Sequence, residues 1–136
     1  MARVIEERII DTINNWKDGE HRLSKRDRVT IEGNKAIYYL WISPVFSVTK
    51  ETDGKTTINF SFCNWGSQTT KERISELLWA FSNSKTYVFR KNWIHYLKMN
   101  EKYYQINENK PYAITDGKLF EAVTGKEVEP LEGFKY

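Results

Sequence analysis

The chain has 136 residues, 40% of them apolar and 29% charged, which suits one soluble domain with a real core and is too short for two. Its net charge of +3 admits an anionic partner, and its single cysteine excludes an intrachain disulfide. No apolar run reaches membrane-spanning length, and the charges within residues 1–7 are unlike a signal peptide, so a cytoplasmic protein is expected.

Residues 3–16 place Ile5, Ile9, Ile13 and Trp16 on one face with Ile10 alongside, which predicts an amphipathic helix ended by Asp18-Gly19. A basic connector follows with His21, Arg22, Lys25, Arg26 and Arg28. Residues 28–31 and 35–42 predict strands about a Glu32-Gly33-Asn34 turn. Ser43-Pro44 is expected to interrupt pairing, because proline has no amide proton to donate. Residues 45–50 and 56–63 flank Thr52-Asp53-Gly54-Lys55, where Asp-Gly predicts a primed hairpin turn. In the second of these strands Ile58, Phe60 and Phe62 alternate with Thr57, Asn59 and Ser61, so one face is buried.

A second helix is expected from Thr70, with Thr69 and Glu72 forming a capping box. Ile74, Leu77, Leu78 and Phe81 make its apolar stripe, Trp79 lies off that stripe, and Ser82-Asn83-Ser84 ends it. Residues 86–89 and 93–97 predict a hairpin across Arg90-Lys91-Asn92. Tyr103, Tyr104 and Ile106 suggest a short strand, and residues 112–115 and 118–123 a hairpin about Asp116-Gly117. The expected organisation is one domain over residues 1–128 and a tail over 129–136. The fold class is α+β, with an N-terminal helix and a central helix packed on a mainly antiparallel sheet of hairpins.

The run Cys63-Asn64-Trp65-Gly66-Ser67-Gln68-Thr69-Thr70-Lys71-Glu72-Arg73-Ile74-Ser75 follows a strand with a Leu-Trp end and a hairpin. This stretch resembles a family of small phage and mobile-element proteins. They show a strand, then Gly-Trp, two small polar residues, Thr-Thr, a basic residue and Arg-Leu or Arg-Ile. The resemblance covers roughly residues 35–97 and rests on Trp65, Thr69, Thr70, Lys71 and Arg73. Asn64 stands where the family tends to glycine, and asparagine is the side chain that next best tolerates a left-handed backbone. The resemblance implies origin and fold, not chemistry.

The first amides of a helix lack internal partners and carry partial positive charge, which makes the Trp-Gly corner a candidate phosphate site. Ser67, Thr69 and Thr70 offer hydroxyls there, Lys71 and Arg73 offer charge, and Trp65 offers a ring. The competing reading is plain helix initiation. Arg22, Lys25, Arg26 and Arg28 form a second candidate, a backbone-following cluster, against the ordinary reading of a solvated loop. Arg90, Lys91 and Lys98, flanking Trp93 and Tyr96, are a third, suited to single strands, against the reading that Trp93 and Tyr96 pack in the core or a hairpin. Cations exceed anions only in residues 1–97, with 15 Lys and Arg against 11 Asp and Glu.

Walker-type glycine spacing is absent, and no acidic pair suggests two-metal hydrolysis. One cysteine with His21 and His95 is a poor metal set, so no metal or cofactor is expected. Cys63 reads as strand filler rather than a nucleophile. The expected function is a non-enzymatic phage or mobile-element accessory protein that binds nucleic acid. The alternative is a protein-binding inhibitor of a host enzyme or defence complex, with exposed aromatics such as Trp79 or Tyr103 as anchors. Either would act in the host cytoplasm.

Overall fold

In the computed structural model, residues 4–82 and 85–135 are described. Arg3 of the first expected helix, Asn83 and Ser84 of the second helix's expected end, and Tyr136 of the expected tail lie outside them.

Helix α1 (Val4–Asn15) buries Ile9 and Ile13, with Ile5 and Ile10 partly covered, as the spacing predicts. Trp16 ends it at φ 49°, ahead of the expected Asp18-Gly19 stop, and donates its amide to the Ile13 carbonyl. The Trp16 indole Nε1 then donates to the Gly33 carbonyl at 3.0 Å, which ties the helix end to a sheet turn.

The expected basic connector is partly a strand. Residues β1 (Gly19–Arg22) pair antiparallel with β2 (Asp27–Glu32). A ladder uses only backbone groups, so exposed charged side chains suit this edge position and discourage further pairing. Strands β3 (Lys35–Leu40), β4 (Ser43–Lys50) and β5 (Thr56–Phe60) continue the meander. Pro44 does not break β4, because a register shift between Tyr38 and Tyr39 absorbs it. The Asp53-Gly54 turn is not primed either. Gly54 alone takes a positive φ, and Glu51 and Lys55 close a wider loop with a 2.8 Å backbone bond.

Helix α2 (Gln68–Phe81) buries Ile74, Leu77 and Leu78 against β4 and the next strand. That strand, β6 (Tyr87–Lys91), pairs with β7 (Ile94–Met99), which pairs with β8 (Lys102–Ile106). The β6–β7 turn is Asn92-Trp93, one residue beyond the expected position, with φ of 53° and 67°. Strands β9 (Tyr112–Thr115) and β10 (Lys118–Glu121) form the expected Asp116-Gly117 hairpin.

The described strands make a seven-stranded sheet, β1-β2-β3-β4-β5-β9-β10, and a three-stranded sheet, β6-β7-β8, with every pairing antiparallel. Both helices pack with these sheets around one apolar cluster. The α+β class expected from the sequence is the fold observed.

Register gathers several turns at one end. Asp27 pairs with Leu40, Leu40 with Ser43, and Phe60 with Tyr112. The turns at 23–26 and 41–42, the corner at 61–67 and the loop at 107–111 therefore share that end. Beyond β10 the chain folds back as a strap, where Val128 donates to Leu119 and Leu131 to Tyr103, each at 2.8 Å.

Candidate nucleic-acid interface

The Trp-Gly corner begins where β5 ends. Cys63 and Asn64 both take left-handed backbone, at φ 54° and 63°, so the asparagine serves the turn as expected. Trp65 then donates its amide to Phe62 at 2.8 Å, and Asn64 donates to Glu108 at 2.9 Å. This double left-handed step brings Ser67 round in extended conformation, at φ −70° and ψ 162°, to cap α2. Its Oγ accepts the Thr70 amide at 3.2 Å. Helix α2 thus starts two residues earlier than expected, Ser67 is the N-cap, and Thr69 lies in the first turn.

Arg73 is the main correction. It was expected at the phosphate site, yet it is 1% exposed. Its Nε donates to Asp27 Oδ1 at 3.0 Å, and its Nη1 donates to the equally buried Glu6. The Tyr38 hydroxyl donates to Asp27 Oδ1, and Ser24 Oγ donates to Oδ2 at 2.6 Å. Burial pushes the Asp27 carboxyl up, but the donors Ser24, Tyr38 and Arg73 prevail and hold it below its ordinary 3.8. Burial pushes the Tyr38 phenol up and its bond to Asp27 adds to that. For Arg73 burial works against the charge, and Asp27 with Glu6 outweighs it, so the guanidinium stays charged. Arg73 fastens α1 and β2 to α2 and has no geometry for a solvent-borne phosphate. Thr70 is buried as well, with its hydroxyl 3.0 Å from Ser67 Oγ, so it too leaves the expected site.

The connector cations are partly engaged. Arg28 lies over the Tyr39 ring at 4.2 Å and 3.6 Å from Glu20. Arg22 Nη1 donates to the Lys25 carbonyl at 3.3 Å. Lys25 and Arg26 occupy the turn at the crowded end, and the Arg26 carbonyl accepts the Trp41 amide at 2.7 Å.

Trp65 and Trp93 are both at the surface, 68% and 85% exposed. The corner lies between two shallow depressions of about 300 Å³ each. One is apolar and lined by Leu40, Trp41, Ile42, Phe62, Cys63 and Trp65. The other carries Asn64, Trp93, His95 and Glu108. Trp41 and Ile42, 58% and 89% exposed, form the β3–β4 turn beside the first. Arg90 extends over the Trp93 ring at 5.1 Å.

Between these rings lies a pair that the sequence reading missed. His95 Nε2 is 3.0 Å from Glu108 Oε1, and His95 packs on Phe62 with ring centroids 4.4 Å apart. Burial holds the imidazole below its ordinary 6.5; Glu108 pulls the other way, and Arg90 and Lys71 add to the depression. Arg90 lies over Trp93 and Lys71 in the first turn of α2, so both cations are at this end. Gly66 is required here for space, since a Cβ would fall 1.5 Å from Glu108 Oε1 and 2.8 Å from His95 Nε2. Glu108 enters from a loop 13 residues after His95, and no local pattern announces such a partner. Among the described residues no group of His, Cys, Asp and Glu is arranged to hold a metal ion.

The family model described as Kyanoviridae Gp96 protein matches residues 2–121. The chain belongs to that family. It is a phage protein, as the resemblance implied. The match runs from α1 through β10, so it takes in Trp41, Trp65, Trp93 and the Arg73 network, and it stops before the strap. No curated protein and no solved structure matches the chain. Among the described residues no helix is long and apolar enough to cross a membrane.

Proposed function

We propose that this phage protein is a non-enzymatic accessory factor that binds single-stranded nucleic acid at the end carrying Trp65 and Trp93. One observation carries the reading: large exposed rings and cations share that end. Trp41, Trp65 and Trp93 offer faces for bases, and Lys25, Arg26, Lys71 and Arg90 lie beside them. Stacking on an aromatic ring contributes about 1–3 kcal/mol per base and tolerates any sequence. The cations would follow the backbone and make the binding salt-dependent. Thr69 sits in the first turn of α2 near this surface, while Arg22 and Arg28 flank it on β1 and β2.

The test is a mobility shift with short single-stranded DNA and RNA at low and moderate salt. Binding that weakens with salt, and weakens again in Trp65→Ala or Lys71→Glu, supports the reading. Absence of any shift at low salt sinks it.

A second reading is favoured by the apolar depression between Trp41 and Trp65. Its lining is mostly carbon, which suits a protein side chain better than a nucleotide. In that case the protein docks on a host enzyme or defence complex and inhibits it. Recovery of one stoichiometric host protein, insensitive to nuclease and lost in Ile42→Glu, would favour this over the first.

A further inference from the structure

The outer face of the small sheet carries rings where a sheet face would ordinarily carry polar groups. Val88, Leu97, Met99, Tyr104 and Ile106 point into the core. The opposite face presents Tyr87, Phe89, Tyr96 and Tyr103. Phe89 and Tyr96 pair across the strands, with ring centroids 5.5 Å apart and planes 25° from parallel. Tyr103 meets Phe89 edge-on at 6.0 Å.

This face is covered by the strap. The Phe134 ring lies 4.7 Å from Tyr96, 4.8 Å from Tyr103 and 6.2 Å from Phe89. Lys91 Nζ lies 5.4 Å from the Phe134 ring centre and donates to the Lys135 carbonyl, and Lys98 lies 5.9 Å from the Tyr103 ring centre. The strap also brings Glu127, Glu129 and Glu132.

A ring seated among rings, beside lysines, is the arrangement a stacked base would reproduce. We propose that the outer face of the β6-β7-β8 sheet is a stacking platform for single-stranded nucleic acid, and that Phe134 occupies it in the unliganded chain. The inference rests on the nucleic-acid reading above and extends its site. Trp93 caps the β6–β7 hairpin whose outer face holds Phe89 and Tyr96, so a strand on Trp93 leads onto the platform. To continue it must displace Phe134, which makes the strap an internal competitor.

The test uses the full chain and a fluorescein-labelled single-stranded oligodeoxythymidine, read by anisotropy. Phe134→Ala is expected to tighten binding roughly tenfold, since the competitor is gone. Tyr96→Ala with Tyr103→Ala is expected to weaken it by a similar factor. In the unmutated protein, saturating oligonucleotide is expected to speed hydrogen exchange at the Leu131 amide, which donates to Tyr103 at 2.8 Å. That last measurement needs no variant to fold. If the unmutated protein binds and Trp93→Ala weakens it, while Leu131 exchange and the Phe134→Ala affinity do not change, the strap is merely structural. The platform is then overturned and the Trp65–Trp93 reading stands. Absence of binding by the unmutated protein and by Phe134→Ala overturns both.

Discussion

Arg73 and Glu6 form an ion pair between α2 and α1, both 1% exposed, across 67 positions of chain. A guanidinium taken out of water is tolerable only with its donors matched, and here Glu6 and Asp27 face it together. The arrangement joins helix to helix and helix to strand with one side chain.

Removing that side chain strands two buried carboxylates. Arg73→Met is expected to lower unfolding free energy by about 3–5 kcal/mol, read as a shifted urea midpoint. Lys71→Glu, on the same helix but half-exposed, should move it by no more than roughly 0.5 kcal/mol. Equal losses in the two variants would contradict the burial of Arg73. A double Lys71, Arg73 reversal is consequently a poor probe of binding, because it would disrupt the buried network along with the surface charge.

Asp27 sets an acid limit. Its folded pKa lies below the ordinary 3.8, so its contribution is fully present above 3.8 and is lost as pH falls through the folded value. Tyr38→Phe removes one of the donors and should move the acid unfolding midpoint to higher pH, as followed by circular dichroism. An unmoved midpoint would mean that Tyr38 does not hold the carboxylate.

His95 sets a second, milder one. Its folded pKa lies below 6.5, so the neutral ring's contribution is present above 6.5 and fades as pH falls from there through the folded value. Melting temperature should therefore decline on acidification from neutrality, and His95→Phe should flatten that decline. The same slope in both proteins would remove His95 as its source.

Gly66→Ala tests the corner. Glu108, with 46% of its side chain exposed, can swing aside from the new Cβ, but the buried His95 cannot. A loss of about 1–3 kcal/mol is expected, together with loss of the His95–Glu108 pair, visible as a shifted imidazole titration by NMR. Full stability would show that the corner has slack.

Trp65→Ala and Trp93→Ala separate binding from folding. Both rings are more than two-thirds exposed, so melting temperature should hardly change. Affinity for single strands should fall roughly five- to hundredfold for each. Normal affinity with both rings removed would take the interface away from this end.

The fold was largely legible, because periodicity is a local property. Ile9 and Ile13 of α1, the alternation of Ile58 and Phe60, and the Asp116-Gly117 turn all behave as their spacing says. The errors come from pairing at a distance. Gly19–Arg22 reads as a basic loop because a strand at a sheet edge needs no apolar side chains. Arg73 reads as a surface cation because its partners lie 46 and 67 residues away. Thr69 reads as a cap because its spacing to Glu72 fits a capping box, yet the left-handed pair Cys63-Asn64 delivers Ser67 first. The exposed rings at Trp65 and Trp93 were visible as residues, and only the turns around them show that they share one end.

The long reach of Arg73 also bears on synthesis. Elongation proceeds at roughly 5–20 residues per second, so Glu6 waits on the order of several seconds for a partner 67 positions downstream. Through that interval α1 has an unsealed apolar face and a carboxylate with no guanidinium to meet it. The Arg73 contacts of the N-terminal helix can thus form only after most of the seven-stranded sheet has been made. Until α2 is complete, the α1 segment lacks both its buried ion-pair partner and one of the elements it packs on.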